Sequence, residues 1–376
     1  MQDIYLDNCS TTKPYPDVTN KIIKMLTEVY GNPSSLHRLG KESKLELEKA
    51  RQIISGTLEV EPEEIYFTSG GTESDNLAIK GVCWANSNNG NRIVTTVAEH
   101  AAVMKSIRDL KRRGWEVKYI SAPNGKLDLG ELQAAIDEKT LLVSVMLVNN
   151  ETGCIFPVSK IKQIIQQKKS PAILHCDAVQ AYGKLNFTAA SLGADLISIS
   201  AHKIHGPKGI GALYVKNGIN MFSVNLGGGQ ENGLRSGTES TPLIVGFGEA
   251  VRITFSNLNE DIFHMKELRD YCIDSIGEIF PQAVIHSTKQ GAPHIVNFSL
   301  PGTENKRVLE FLDTKDIFVS SAAACKSNHS RGPSVLESLG LSRDLADSAL
   351  RVSFSHMNTK KDVDALLKAL DEYFRF

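Results

Sequence analysis

The chain has 376 residues, of which 41% are hydrophobic and 23% are charged. These values are ordinary for a globular protein with a core, and they exclude a fully disordered or fibrous chain. Because 42 basic residues face 43 acidic ones, for a net charge of -1, we expect no broad basic surface for nucleic acid or an acidic membrane. At about 150 residues per domain, the length predicts two or three domains. The balanced charge leaves a small molecule or a protein as the expected partner.

Hydropathy along the chain argues against a membrane or secreted protein. No run of about 18 apolar residues occurs, and residues 1–8 lack the basic start and apolar stretch of a signal peptide. We therefore expect a cytoplasmic protein. The six cysteines are widely spread and include no Cys-x-x-Cys pair, so neither a disulfide scaffold nor a zinc ribbon is indicated.

Short apolar runs alternate with amphipathic stretches through the first two thirds of the chain. Helical patterns start at Thr72 and Ala101, and others follow many of the later runs. The predicted strands are residues 64–67, 92–96, 115–120, 141–148, 172–176, 194–200 and 211–215. This alternation predicts an α/β domain with a mostly parallel seven-stranded sheet covered by helices.

The pattern changes in the last third of the chain. A long helical stretch starts at Thr241, breaks at the polar residues 257–260 and continues towards Ile279. After it we predict a strand (294–300), a helix (304–312), a strand (317–320), a loop, a strand (350–354) and a final helix that opens with a capping-box spacing at 359–362. We expect a large domain at 15–255 and a smaller α+β domain made of 1–14 and 256–376.

A glycine-rich turn, Ser69-Gly70-Gly71-Thr72, separates the first predicted strand of the large domain from its helix. Such a helix start offers free N–H groups to an anion. The spacing of Thr72 and Asp75 predicts a capping box. A plain capped helix is the alternative, because the turn is neither a Walker motif nor a dinucleotide fingerprint.

Two other strand ends carry reactive side chains. Lys203 follows an apolar strand and precedes a Gly/Pro turn, where a partly desolvated amine can act as a nucleophile. Its neighbours His202 and His205 are more typical of hydrogen-bonded loop residues than of metal ligands. Asp177 ends another strand, either as a cap of the next turn or as the partner of a buried cation. A phosphate cradle, an amine and an acid at strand ends of one domain are the requirements of pyridoxal phosphate.

Together with further motifs in order, these segments resemble the class V, fold-type I pyridoxal-phosphate enzymes, and among them the NifS/IscS-like cysteine desulfurases. The nine motifs that carry the resemblance are Leu6-Asp7-Asn8 with Thr11-Thr12, residues 31–37, the Thr72 turn, 98–100, 149–153, the Asp177 segment, the Lys203 segment, 228–231 with 235–238, and 350–354. The resemblance implies a fold-type I transferase, a homodimer, and conversion of L-cysteine to L-alanine with transfer of the sulfur.

The resemblance also implies a role for each residue of the site. Lys203 is expected to bind the cofactor covalently, and Asp177 to pair with its ring nitrogen. Gln180 is expected to bond the phenolic oxygen, while His100 stacks on the ring and moves protons. The phosphate group is expected to be held by Thr72, Ser200 and His202, with Thr238 reaching in from the second subunit, and Gly71 is also expected to bind the cofactor. Asn150 is expected to line both the cofactor and the substrate. Arg351 is expected to bind the substrate carboxylate as a two-pronged fork.

Cys325 decides between the activities of this family. Small residues precede it and hydrophilic ones follow, which predicts an accessible thiol on a movable loop, whereas Cys83 and Cys272 are expected to be buried hydrophobes. Its position matches the family's persulfide-forming cysteine, although Ala322 and Ala323 stand where the family usually has Gly and Ser. We expect the sulfur to pass from Cys325 to an acceptor protein of iron–sulfur cluster, thio-cofactor or tRNA thiolation pathways.

Two alternatives stay open at the level of the sequence. A selenocysteine lyase or another class V aminotransferase would share Lys203 and Asp177 and have less use for Cys325. More remotely, a sulfur-carrier or interaction protein without enzymatic activity would keep the site as a relic.

Overall fold

The computed structural model describes residues 3–321 and 334–375. Its strands are β1 (Ile4–Tyr5), β2 (Ile65–Thr68), β3 (Arg92–Thr96), β4 (Glu116–Ile120), β5 (Thr140–Met146), β6 (Ile173–Asp177), β7 (Leu196–Ser200), β8 (Gly211–Val215), β9 (Val284–Ile285), β10 (Ile295–Ser299), β11 (Ile317–Phe318), β12 (Ser320–Ser321) and β13 (Ala349–Ser353). Its helices are α1 (Pro16–Thr27), α2 (Arg38–Leu58), α3 (Gly71–Ala85), α4 (Ala101–Arg112), α5 (Leu129–Ala135), α6 (Val158–Gln167), α7 (Ala189–Leu192), α8 (Thr241–Ser256), α9 (Leu258–Ile279), α10 (Asn305–Asp313), α11 (Val335–Ser338), α12 (Arg343–Asp347) and α13 (Lys360–Arg375).

The larger sheet has seven strands in the order β2-β8-β7-β6-β5-β3-β4. The pairs from β7 to β4 are parallel, and β8 runs antiparallel to both of its neighbours. The predicted mostly parallel α/β sheet is therefore confirmed. Every residue of β5, β7 and β8 is buried, as expected of strands that helices cover on both faces.

Helix amphipathicity explains how this sheet is covered. In α4, Val103, Ile107 and Leu110 recur at helical spacing and are fully buried, whereas Arg112 ends the helix on its polar side. Burying three such apolar side chains contributes several kcal/mol, at about 25 cal/mol per Å² of apolar surface. Helices such as α4 thus cover the sheet. Because the strands from β7 to β4 are parallel, their carboxyl ends lie at one edge.

A second, four-stranded antiparallel sheet has the order β12-β13-β10-β9, and β1 pairs with β11 in parallel. Its core includes Leu6 from the N-terminal segment and the buried face of α13, Val363, Leu366, Leu367 and Leu370. The predicted α+β region is confirmed as secondary structure. The boundaries at residues 15 and 256 stay predictions.

The capping box expected at the start of α3 is wrong. The helix begins after Gly70, and no side chain caps it. Asp75 points into the protein, and its Oδ1 has no hydrogen-bond partner. Glu73 accepts the Ser69 N–H at 2.6 Å instead. Burial of Asp75 against the sheet overrides the local capping pattern, so the first N–H groups of α3 keep no partner within the helix.

Candidate active site

A cavity of about 650 Å³ lies where the parallel strands end. Met146, Asp177 and Ser200, the last residues of β5, β6 and β7, line it, which is where open α/β sheets bind ligands. The cavity brings together most of the predicted site residues, namely Gly71, Thr72, His100, Asn150, Asp177, Gln180, Ser200, His202, Lys203 and Arg351. Its size suits a cofactor together with a small substrate.

Two predicted site residues are not placed in this cavity. Thr238 is exposed in the segment before α8 and does not line the cavity of its own chain. Its contribution from a second subunit stays a prediction. Cys325, with Ala322 and Ala323, lies outside the described residues.

Lys203 ends the short 3-10 turn Ala201–Lys203 that follows β7. Its Nζ donates hydrogen bonds to the carbonyl oxygen of Ser10, at 2.9 Å, and to that of Cys9. Burial lowers the pKa of Lys203, and the charge of Arg351 lowers it further. The amine is therefore held in place by the N-terminal segment and loses its proton more easily than a surface lysine.

Asp177 is the last residue of β6, and His100 immediately precedes α4. The Asp177 Oδ1 accepts the Val179 N–H at 3.0 Å, so the residue caps its turn as well as facing the cavity. Burial raises the pKa of Asp177, an effect that the charges of His100 and Lys203 oppose. His100 Nδ1 accepts the Ala102 N–H at 3.2 Å at the start of α4, which places the proton of the neutral imidazole on Nε2. Burial lowers the pKa of His100.

The polar end of the cavity is formed by the start of α3 and the end of β7. Gly71 packs closely here, because a Cβ on it would lie 2.7 Å from Val179 Cγ2. Thr72 and Ser200 add hydroxyl groups, and His202 Nδ1 lies 3.2 Å from Thr11 Oγ1. Burial, then the charge of Lys203, lowers the pKa of His202 to about 4. This end offers neutral hydrogen-bonding groups and uncapped helix N–H groups to an anion.

Arg351 reaches the cavity from β13 of the second sheet and is 6% exposed. Its Nη1 donates to the Asn150 carbonyl oxygen at 2.9 Å, and its Nη2 donates to Asp7 Oδ1 at 3.1 Å and Ser10 Oγ at 2.9 Å. Its Nε is buried without a partner. A guanidinium with an unused N–H can receive a carboxylate.

Amides complete the lining. Gln180 Nε2 donates to the Cys9 carbonyl oxygen at 3.0 Å, and its Oε1 lies 3.5 Å from His294 Nε2. Asn150 Nδ2 donates to Glu151 Oε1 at 3.0 Å, while Asn150 Oδ1 is buried with no partner. The unpartnered oxygen is an acceptor available to a bound molecule.

Sequence reasoning missed several residues of the site. The Leu6-Asp7-Asn8 motif signals that the N-terminal segment matters, yet it does not show that the Cys9 and Ser10 carbonyls hold Lys203. Lys184 had no signal at all, because lysines are rarely buried. It is 4% exposed, donates to the Lys203 carbonyl oxygen at 2.7 Å, and has its pKa lowered to about 8 by burial.

Residues 3–321 and 334–375 contain neither a metal-ligand cluster nor a membrane-spanning helix. Among them, no group of three or more His, Cys, Asp and Glu side chains is arranged to hold a metal ion. In the same residues, no helix has the length and apolar character needed to span a membrane. Cys83 and Cys272 are fully buried, as predicted.

The aminotransferase class-V family matches residues 4–366. The chain belongs to this family. Among curated class V relatives, Cysteine desulfurase IscS of Clostridium botulinum strain Hall is 38% identical over 378 aligned residues, covering 100% of this chain and 95% of that protein. The resemblance inferred from the sequence motifs is therefore confirmed.

Solved structures agree with this assignment to class V. A NifS-like protein has a TM-score of 0.94 and 36% sequence identity, with 100% of each chain covered. The structure described as SspA in complex with cysteine has a TM-score of 0.80 and 29% identity, and covers 95% of this chain and 100% of its own. Both support the fold-type I architecture expected from the sequence.

Proposed function

We propose that this protein is a pyridoxal-phosphate-dependent cysteine desulfurase, which converts L-cysteine to L-alanine and takes up the sulfur on Cys325. The observation that carries the proposal is one cavity that combines a partly buried amine, Lys203, with Asp177, His100 and Arg351. The class V membership and the full-length similarity to a protein named cysteine desulfurase support it.

The residues present fit pyridoxal phosphate. The uncapped start of α3, with Thr72 and Ser200, suits a phosphate group. Asp177, favoured as an anion by the charges of His100 and Lys203, suits a ring nitrogen that carries a proton. Lys203 supplies the amine. When bound, the cofactor provides an electron sink for negative charge at the substrate Cα.

The substrate is held and deprotonated by side chains of this chain. Arg351 receives the carboxylate through its unused Nε–H. Lys203, whose pKa is lowered by burial, takes the Cα proton as the neutral amine. The carbonyl oxygens of Cys9 and Ser10 then hold the ammonium group that results. His100, with its proton on Nε2, serves the proton transfers of the thiol groups.

The sulfur step belongs to Cys325. Its thiolate attacks the substrate sulfur and forms an S–S bond as the Cβ–S bond breaks. The electron pair of the broken bond stays with the carbon skeleton, which takes up a proton and leaves as alanine. The persulfide on Cys325 then passes its outer sulfur to the thiol of an acceptor protein, for iron–sulfur cluster assembly or for thio-cofactor and tRNA thiolation pathways.

We propose further that the protein is a homodimer in which Thr238 reaches the phosphate site of the second copy. Leu36 and Leu226 are each 88% exposed, and such apolar surface is typical of a contact with another chain. Asn225 pairs with Arg235 across a bridge, so Leu226 lies on the same folded segment as Thr238. A cytoplasmic location also stays a prediction.

The proposal is tested by comparing Lys203→Ala with Lys208→Ala, a change at an exposed lysine that lies five residues away and also lines the cavity. The wild type and Lys208→Ala should carry the visible absorption of bound cofactor and form alanine from L-cysteine. Lys203→Ala should lose both while its circular dichroism stays native, because it removes the amine that the Cys9 and Ser10 carbonyl oxygens hold. Retention of absorption and turnover by Lys203→Ala would remove Lys203 from this role.

A further inference from the structure

Another buried carboxyl group lines the same cavity as Asp177, and the proposed reaction does not use it. Asp75 is 1% exposed, lines the same cavity, and has an Oδ1 with no hydrogen-bond partner. It belongs to α3, whereas Asp177 ends β6, the strand at the centre of the large sheet. Both carboxyl groups are therefore buried at the same cavity.

The groups that face the two carboxyls differ. His100 and Lys203 favour the charged form of Asp177. Asp75 faces Asp177 and His175 from β6, Ser198 from β7, and Glu99 from the segment after β3. Asp177 disfavours its charge, Glu99 does so when it is ionised, and Ser198 alone among these favours it. The groups of the site that carry positive charge when protonated thus favour the anion of Asp177.

His175 supplies no positive charge to Asp75. Its Nε2 lies 3.6 Å from Asp75 Oδ1, but the ring is fully buried and burial lowers its pKa to about 3. A neutral His175 ring can also form both of its hydrogen bonds, since Nδ1 lies 2.9 Å from Ser144 Oγ and Nε2 lies 3.0 Å from Ser198 Oγ. The hydrogen-bonded side chains of Ser144, His175 and Ser198 are therefore all neutral and provide no positive charge to Asp75.

The start of α3 does not offset the burial of a charge on Asp75. A helix N-terminus favours negative charge, but this effect fades within the first turn. Asp75 is the fifth residue of α3, which begins at Gly71, so it lies a full turn inside the helix. Two buried carboxyls that repel each other's charge and whose surroundings differ in this way share one proton, and it resides on the group whose charge the surrounding groups disfavour.

We propose that Asp75 is a positioning residue that carries the proton of the Asp75–Asp177 pair, so that Asp177 keeps the single negative charge. That the charged Asp177 then pairs with the cofactor's ring nitrogen rests on the proposed function. The protonation of Asp75 itself does not, because it follows from the two carboxyls and their neighbours. Neutral Asp75 also avoids a second negative charge that would compete with Asp177 for Lys203.

Infrared difference spectroscopy on the purified holoenzyme at neutral pH tests the protonation directly. Wild type minus Asp75→Asn should show the C=O stretch of a protonated carboxylic acid, with a downshift in D₂O. The matched control is Asp195→Asn. Asp195 is buried at the same sheet but pairs with Lys162 at 2.7 Å and Lys216 at 3.7 Å, so its difference spectrum should show carboxylate bands only. Carboxylate bands in the Asp75→Asn difference would overturn the proposal.

A second measurement addresses the positioning role. Asn replaces a neutral carboxyl by a neutral group of the same shape, so Asp75→Asn should keep the visible absorption of the bound cofactor and the pH dependence of that absorption. Asp75→Glu, which pushes a longer carboxyl towards Asp177, should shift that pH dependence. A shift of about one pH unit or more in Asp75→Asn would mean that Asp75 is charged in the wild type, and would refute the role. A wild type without cofactor absorption would instead contradict the proposed function, and the infrared result would still stand.

Discussion

Arg351 offers a sharp test of how the substrate is held. The guanidinium makes three hydrogen bonds, to the Asn150 carbonyl, Asp7 and Ser10, and keeps a buried Nε–H without a partner. Nε–H and one Nη2–H point the same way, so a carboxylate that displaces the Nη2 partner on that side can be bound by both. Arg351→Lys keeps the charge and removes this fork.

The expected loss follows from the hydrogen bonds. A hydrogen bond to a charged group contributes about 1.5–3 kcal/mol, and a lysine replaces two parallel bonds by one. At about 1.4 kcal/mol per tenfold change, the affinity for L-cysteine should fall about 10- to 150-fold. The absorption of the bound cofactor should stay unchanged, because Arg351 is assigned to the carboxylate and not to the cofactor.

The assay is alanine formation as a function of L-cysteine concentration, with the visible spectrum recorded on the same samples. Arg343→Lys is the matched control, since the Arg343 side chain is 80% exposed, and it should leave the curve unchanged. If Arg351→Lys needed no more L-cysteine than the wild type for half-maximal rate, the carboxylate would be bound elsewhere.

Two other predictions concern the cofactor cradle and the pH dependence of stability. Gly71→Ala places a Cβ 2.7 Å from Val179 Cγ2 and should weaken cofactor affinity by about 1–3 kcal/mol. The control Gly56→Ala has open space around the new Cβ and should leave the affinity unchanged. Equal affinities of the two variants in a cofactor titration would contradict binding of the cofactor at Gly71. Burial raises the pKa of Glu99 to about 8. Between about pH 5 and pH 8 the folded state therefore holds a proton that the unfolded state releases. The free energy of unfolding should fall as the pH rises through this range. Glu99→Gln should reduce this fall in urea unfolding, and an identical fall in both proteins would show that Glu99 is ionised when folded.

The sequence was most informative where the local pattern and the tertiary environment agree. The strand at Arg92–Thr96 and the strand at Gly211–Val215 have the predicted bounds, because each is a short apolar run between clear breaks. The strand predicted at 141–148 ends earlier, at Met146, since the next residues turn into the cavity. Strand ends also explain why Asp177 and Lys203 could be proposed from the sequence alone.

Residues that act through the backbone or through burial left little trace in the sequence. Lys203 is held by carbonyl oxygens of Cys9 and Ser10, and any residue type supplies a carbonyl. The spacing of Thr72 and Asp75 suggested a cap, yet Asp75 faces the sheet and Asp177. That outcome depends on how α3 packs against β6, a long-range contact that local spacing does not encode.

The central claim is that sulfur leaves L-cysteine by transfer to Cys325. The most direct measurement is mass spectrometry of the protein after reaction with ³⁴S-labelled L-cysteine, together with alanine formation, for the wild type and Cys325→Ala. We expect one labelled sulfur on Cys325 of the wild type. Cys325→Ala should keep the cofactor absorption and lose alanine formation, because it removes the thiolate that takes the sulfur. Full alanine formation by Cys325→Ala, with no labelled sulfur on the wild type, would contradict a persulfide mechanism and favour a class V lyase or transferase.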